Sequence, residues 1–138
     1  MSSDPRPPKQ TELTPREAEA GLKVALRLAE QWAISDAELA ALLDVDAAEP
    51  DAWRSNGFDP AAYSDAAIQE MLTRVSHLMG IYRVLHDLFV DSSQADAWLK
   101  RPHEFGPLAG LSALRYMLDD GLERVRYVRR YLGGVLHG

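Results

Sequence analysis

The stretch SDAAIQEMLTRVSHLMGIYRVLHDLFV, residues 64–90, decides the fold of this chain. Its apolar side chains recur at spacings of three and four, which is the period of an α-helix with one apolar stripe. A second stripe begins at Ile81 and continues with Val84 and Leu88. Because a helix that is apolar on two sides has to be covered on two sides, we predict that this helix lies at the centre of the fold. Ser64 is a suitable N-cap for it.

Length and composition set limits on the class of protein. The chain has 138 residues, 46% of them hydrophobic, which fits one compact domain or two small modules that share a core. The sequence contains no run of 18 apolar residues, so no transmembrane span is predicted. Residues 1–13 carry three prolines and no apolar segment, which predicts a disordered N-terminal tail rather than a signal peptide. With no cysteine there is no disulfide or thiolate chemistry, and a cytoplasmic location is expected.

An N-terminal module is predicted over residues 14–63. Thr14 and Glu17 form the pattern of a capping box, and Ser35 and Glu38 repeat it, so two helices are expected to start there. A third short helix can begin at Pro50 and end at Asn56 and Gly57. Two short helices joined by a tight turn resemble a repressor-type helix-turn-helix of the Xre kind, in which the last helix enters the major groove of DNA.

The charge of this module argues against strong DNA binding. Residues 1–59 hold 6 Lys and Arg against 12 Asp and Glu, whereas residues 60–138 hold 9 of each. DNA affinity depends largely on basic side chains that neutralise phosphates, and each acid opposes it. Two readings stay open: a helical packing module without DNA contact, or a weak DNA-binding module. In the second case the contacting residues are predicted to be Trp53, Arg54, Ser55 and Asn56.

The C-terminal part, with the central helix, is predicted to form a second module over residues 64–138. After the central helix we expect a short helix around Trp98, a loop from His103 to Gly110, and a helix from about Ser112. The last helix is predicted from Leu122 to about Leu132, where two glycines end it and free the final residues. No stretch alternates like a strand, so the expected fold is all-α: a helix-turn-helix-like module joined by a long central helix to a C-terminal helical module.

The C-terminal module also carries a family resemblance. Over about residues 72–138 the chain resembles the toxin-binding domain of the Xre/MbcA/ParS-type antitoxins, although Ala113 stands where that family usually has a proline. The resemblance is carried by Ala97-Trp98-Leu99-Lys100-Arg101-Pro102, Leu108-Ala109-Gly110, Leu114 and Leu118-Asp119-Asp120-Gly121, Val125 to Leu132, and His137-Gly138. It implies a protein without catalysis or cofactor, which binds a RES-type, NAD-consuming toxin, covers its active site, and in many cases represses its own operon.

A cluster of arginines in the last helix suggests where such a toxin is contacted. Four arginines occur in seven residues of an acidic protein, and arginine suits carboxylate or phosphate recognition. The alternative is an ordinary solvated helix face. On the first reading, the toxin-binding residues are predicted to be Arg101, Arg126, Arg129, Arg130, His137 and Gly138.

Other chemistry finds little support in the sequence. His77 and His86 are nine residues apart and point to opposite sides of one helix, so they cannot hold one metal together, and no zinc, phosphate-loop or nucleophile motif is present. A homodimer is expected, because we predict that Leu28 and the stripe of Ile81, Val84 and Leu88 expose more apolar surface than a small bundle needs. The alternative to an antitoxin is a free-standing helical interaction or transcription-regulatory protein without a cognate toxin.

Overall fold

A computed structural model describes residues 14–137, except for the side chains of Asp120 and His137. The predicted tail over residues 1–13, and Gly138, lie outside the described residues. Within this range the chain is all-α, as predicted, and an isolated bridge between Pro102 and Ser112 is the nearest approach to a β-strand. The α-helices in chain order are α1 (Pro15–Trp32), α2 (Asp36–Leu43), α3 (Glu49–Asn56), α4 (Asp65–Leu88), α5 (Ser92–Trp98), α6 (Ala113–Asp120) and α7 (Leu122–His137).

Both predicted capping boxes are present. The hydroxyl of Thr14 accepts a hydrogen bond from the backbone N–H of Glu17 at 3.1 Å, and the Glu17 carboxylate accepts one from the Thr14 N–H at 2.9 Å. Ser35 and Glu38 make the same reciprocal pair at 3.0 and 2.8 Å. These bonds satisfy N–H groups that have no partner inside the helix, which fixes the starts of α1 and α2.

Helix α4 lies at the centre of the fold, as its two apolar stripes predicted. It packs against α1, α2, α5 and α7. Gly21 of α1 lies against Leu72, and the ring of Trp32 is 6.2 Å from that of Tyr82, so α1 and α4 run side by side in the same direction. One continuous core takes buried side chains from all seven of the helices in residues 14–137.

The apolar surface that motivated a homodimer is covered within the chain. Leu28 is 4% exposed and Ile81 is fully buried, while Val84 and Leu88 are half-buried against the core. The expectation of free apolar surface at these residues was therefore wrong, because helices pack on both sides of α4. The homodimer itself stays a prediction, without this support.

The end of α7 also differs from the prediction. Gly133 and Gly134 do not end the helix, which continues to His137. Each glycine disfavours a helix by only ~1 kcal/mol relative to alanine, and tertiary packing of the helix outweighs that. Leu132 just before the glycines is buried, and Leu136 after them is half-buried. No helix in the described part of the chain is both long and apolar enough to cross a bilayer.

Candidate functional site

The arginines of α7 do not form one free patch. Arg124 faces α6, where its guanidinium lies 4.6 Å from the centre of the Tyr116 ring and donates to the Tyr116 carbonyl at 3.2 Å. A longer contact of 3.5 Å joins it to the exposed carboxylate of Asp119. Arg124 therefore holds α6 and α7 together.

Arg129 lies in the seam between α4 and α7. Its guanidinium crosses the backbone of Gly80, where the Cβ of any other residue would clash with it. Its Nη1 donates to Nδ1 of His77 at 3.0 Å. Burial lowers the pKa of His77 from its ordinary value, and the positive charges of Arg129 and Arg126 lower it further. Arg129 is thus half-buried and already bonded to a neutral imidazole.

Arg126 and Arg130 are the α7 arginines most open to solvent. They are four residues apart and so share a helix face. Arg126 donates to the Glu123 carboxylate at 2.9 Å, with 43% of the Arg126 side chain exposed. Arg130 is exposed and makes no hydrogen bond or ion pair with the described residues. Of the α7 residues predicted to bind a toxin, these two are available; Gly138 and the side chain of His137 are not described.

Arg101 lies apart from the α7 arginines, at the end of α5. Its Nη2 donates to the Gln94 carbonyl at 2.9 Å, its Nη1 donates to the Gln94 side chain at 3.2 Å, and the guanidinium lies 5.7 Å from the centre of the Phe89 ring. Its Nε is buried without a partner among the described residues. The structure therefore gives Arg101 a role in holding α5, whatever else it contacts.

The loop between α5 and α6 is closed and pinned to α7. The N–H of His103 donates to the Leu111 carbonyl at 3.1 Å, and the N–H of Gly110 donates to the His103 carbonyl at 2.8 Å. The Phe105 ring stacks on that of Tyr131 with 3.7 Å between centroids. Leu111 is 45% exposed on this loop. The stack was missed in the sequence, where only the aromatic character of the two residues gave a signal.

In the N-terminal module, Trp53 is not available to DNA. It is buried, with only 6% of its surface exposed, and its indole N–H donates to the Tyr63 hydroxyl at 3.1 Å. The prediction that Trp53 contacts DNA was therefore wrong, since the aromatic ring holds α3 onto the core. Arg54, Ser55 and Asn56 are exposed, but the Arg54 guanidinium pairs with the carboxylate of Asp36.

Next to α3 is an acidic cleft of about 420 Å³. It lies between the α2–α3 turn and the first half of α4, with an apolar floor that includes Leu43 and Met71. Its carboxylates belong to Asp44, Asp46, Glu49 and Glu70. This charge repels a phosphate backbone close to the proposed DNA-reading helix.

The histidines face different partners. His77 contacts α7, whereas His86 pairs with Asp96 of α5 at 2.8 Å, so the two do not share a site, as their spacing predicted. Among the described side chains, which do not include those of Asp120 and His137, no three His, Asp or Glu residues are grouped so that they could hold a metal ion.

Comparisons with known proteins relate the chain to an uncharacterized protein. No protein-family model matches it. It is 30% identical over 113 residues to the uncharacterized protein y4oB of Sinorhizobium fredii, and the match covers 82% of this chain and 81% of that protein. The chain belongs to the y4oB family. The match spans most of both chains, so the two proteins are similar across more than one of the predicted modules.

Proposed function

We propose that this member of the y4oB family is an antitoxin of the Xre/MbcA/ParS type, which binds a RES-type toxin and covers its NAD-binding active site. The observation that carries the proposal is the sequence pattern over residues 72–138. The apolar members of that pattern form a compact unit, in which Leu99, Leu108, Val125 and Val128 are fully buried. Its glycines occupy turns: Gly110 and Gly121 have φ values of 94° and 65°, which favour glycine.

The surface of this unit offers groups suited to a protein partner. Arg126 and Arg130 are open on α7, and the exposed Leu111 and Val135 provide apolar contact area. An NAD-binding cleft often contains carboxylates, with which arginine forms charge-assisted bonds of ~1.5–3 kcal/mol each when water is excluded. Because α7 is continuous to His137, we propose that the helix end itself, rather than a detached tail, approaches the toxin.

The test is rescue of growth on co-expression with a RES-type toxin, which we propose is encoded by a neighbouring gene. Wild-type protein should restore growth. The double variant Arg126→Ala/Arg130→Ala should rescue poorly while remaining folded, because neither side chain belongs to the core. A matched control is Lys23→Ala/Arg27→Ala, which removes two exposed cations at the same spacing from α1.

A second variant examines the end of the helix. Deletion of residues 135–138 removes the exposed Val135 and leaves Leu132 in place. Loss of rescue by this folded variant supports contact through the helix end. Rescue at wild-type potency by a variant with both the deletion and the two arginine changes would show that inhibition uses another surface.

The runner-up function is a regulatory or interaction protein without a toxin. The acidic cleft beside α3 favours it, because a carboxylate-lined surface suits a basic protein partner better than DNA. The absence of a RES-type reading frame beside the gene, together with no rescue of any RES toxin tested, would favour this alternative.

A further inference from the structure

The seam between α4 and α7 contains a cation whose bonded partner is neutral. Arg129 reaches over Gly80 and donates Nη1 to Nδ1 of His77 at 3.0 Å. An imidazole nitrogen that accepts a hydrogen bond carries no proton, so the proton of the neutral ring lies on Nε2. His77 therefore presents an N–H donor on the side of its ring away from Arg129.

Positive charge at this point is poorly compensated. Within the part of the chain that the structure describes, no carboxylate is hydrogen-bonded to Arg129. Arg126 is three residues away on the same helix face, and its partner Glu123 has 78% of its side chain exposed. Exposed ion pairs of that kind are weak, so Arg126 can exchange partners readily. The positive field of both arginines, added to burial, is what lowers the pKa of His77.

We propose that Arg126 and Arg129, next to His77, form a binding site for the phosphate group of a small ligand. Two guanidinium groups supply planar sets of N–H donors that match phosphate oxygens, and Arg129 spends only Nη1 on His77. His77 lies beside this pair of guanidinium groups through its bond with Arg129, so its ring reports on an ion bound there. All three residues are half-buried, so part of each stays open to a small ion.

A long polyanion such as DNA or RNA is not the ligand that we propose for this site. The whole chain has a net charge of −6, which opposes binding of DNA or RNA along an extended surface. A single phosphate group needs only this local site. The inference does not depend on the antitoxin function: it concerns the protein alone, so it and the growth-rescue test can fail separately.

Histidine NMR of the full-length protein tests the site. Sulfate serves as the probe, because it is a tetrahedral dianion that does not titrate near neutral pH, and acetate at equal ionic strength is the comparison anion. We expect sulfate to shift the His77 resonances in a saturable way and to raise the His77 pKa, because a bound dianion favours the imidazolium. His86 and His103 are internal references that should not respond, and a His77→Gln variant assigns the signal.

Variants decide whether the arginines are responsible. Arg129→Gln and Arg126→Gln should each weaken sulfate binding roughly tenfold or more, as expected for loss of a charge-assisted bond. Arg27→Gln removes the same charge from an exposed position on α1 and should leave binding unchanged. If Arg129→Gln weakens the packing between α4 and α7, the Arg126→Gln variant still tests the site. An equal response to sulfate and acetate, a response without saturation, or binding unaffected by both seam variants would overturn the proposal.

Discussion

Arg74 of α4 donates Nη1 to the carbonyl of Leu42 at 3.3 Å, a bond that ties the central helix to the end of α2. Arg74 is 7% exposed, its Nε donates to Glu70 at 2.9 Å, and its guanidinium lies beside Gly121 in the turn between α6 and α7. One buried cation thus touches both predicted modules. Buried charges are retained only with such partners, because an isolated one is strongly unfavourable.

Loss of Arg74 should therefore destabilise the whole protein. Arg74→Ala leaves the Leu42 carbonyl without its partner and removes the packing of the side-chain stem, and we expect the free energy of unfolding to fall by ~2 kcal/mol. Urea denaturation measures it. Arg83→Ala, at an exposed position of the same helix, should change stability by less than ~0.5 kcal/mol. Equal effects of the two variants would contradict a structural role for Arg74.

Gly80→Ala should displace Arg129 without unfolding the protein. The added methyl would clash with the guanidinium, which is the flexible end of its side chain and can move, while alanine favours the helix by ~1 kcal/mol. With Arg129 farther away, the pKa of His77 should rise, which histidine NMR detects. Gly133→Ala, where a methyl group meets nothing within 4 Å, should leave the His77 pKa unchanged. A His77 pKa that is the same in wild type and Gly80→Ala would count against the proposed pairing.

Stability should depend on pH through His77. Burial, Arg129 and Arg126 hold the pKa of folded His77 below its ordinary value of 6.5. As the pH falls through 6.5, His77 becomes protonated in the unfolded chain before it does so in the folded chain. The free energy of unfolding therefore decreases as the pH falls, until the pH is below the pKa of folded His77. Relative to His77→Gln, the wild type should become less stable between pH 7 and pH 5 in urea denaturation. Parallel stability curves for the two proteins would refute this.

Alanine in place of both glycines near the end of α7 should stabilise that helix. Neither position meets a neighbour within 4 Å, so Gly133→Ala/Gly134→Ala is expected to add up to ~1 kcal/mol per site. If the helix end approaches the toxin as a continuous helix, growth rescue should stay at the wild-type level. Loss of rescue by this more stable variant would indicate that the end has to unwind.

DNA binding by the free protein should be weak at physiological salt. Arg54 is already paired with Asp36, and four carboxylates line the cleft beside α3. Few phosphate contacts are then available, and each contributes ~0.9 to the slope of log K against log salt, so the slope should be shallow. Fluorescence anisotropy with promoter DNA measures it, with Arg54→Ala as the sensitive variant. Nanomolar binding that survives Arg54→Ala would place the DNA surface elsewhere.

Features of the fold that depend on local sequence could be predicted. The capping boxes at Thr14 and Ser35 involve residues three apart, so their hydrogen bonds follow from the pattern alone. The two apolar stripes of α4 predicted its central place, because each stripe has to be covered. Helix period and capping together accounted for the order of the helices.

Features that depend on packing between distant residues could not be predicted. The sequence predicted that α7 ends at Gly133. The helix instead continues past both glycines, because its packing outweighs their low helix propensity. It treated Arg129 as part of a surface cluster, since no pattern shows that the side chain crosses Gly80, 49 positions earlier in the chain. Arg101 and Arg129 therefore already have partners within the chain, and the contact between Arg129 and His77 came from the structure alone.

The ammonium group of Lys100 donates to the carbonyl of Ala33, which caps the end of α1 from a point 67 residues further along the chain. Helix α1 also packs on α4 and α5, both of which follow it in the sequence. During synthesis at ~5–20 residues per second, α1 waits about 3–13 s for this contact. Helix α1, which is synthesised before the other described helices, is thus expected to become fixed late, with its apolar face open to chaperones until then.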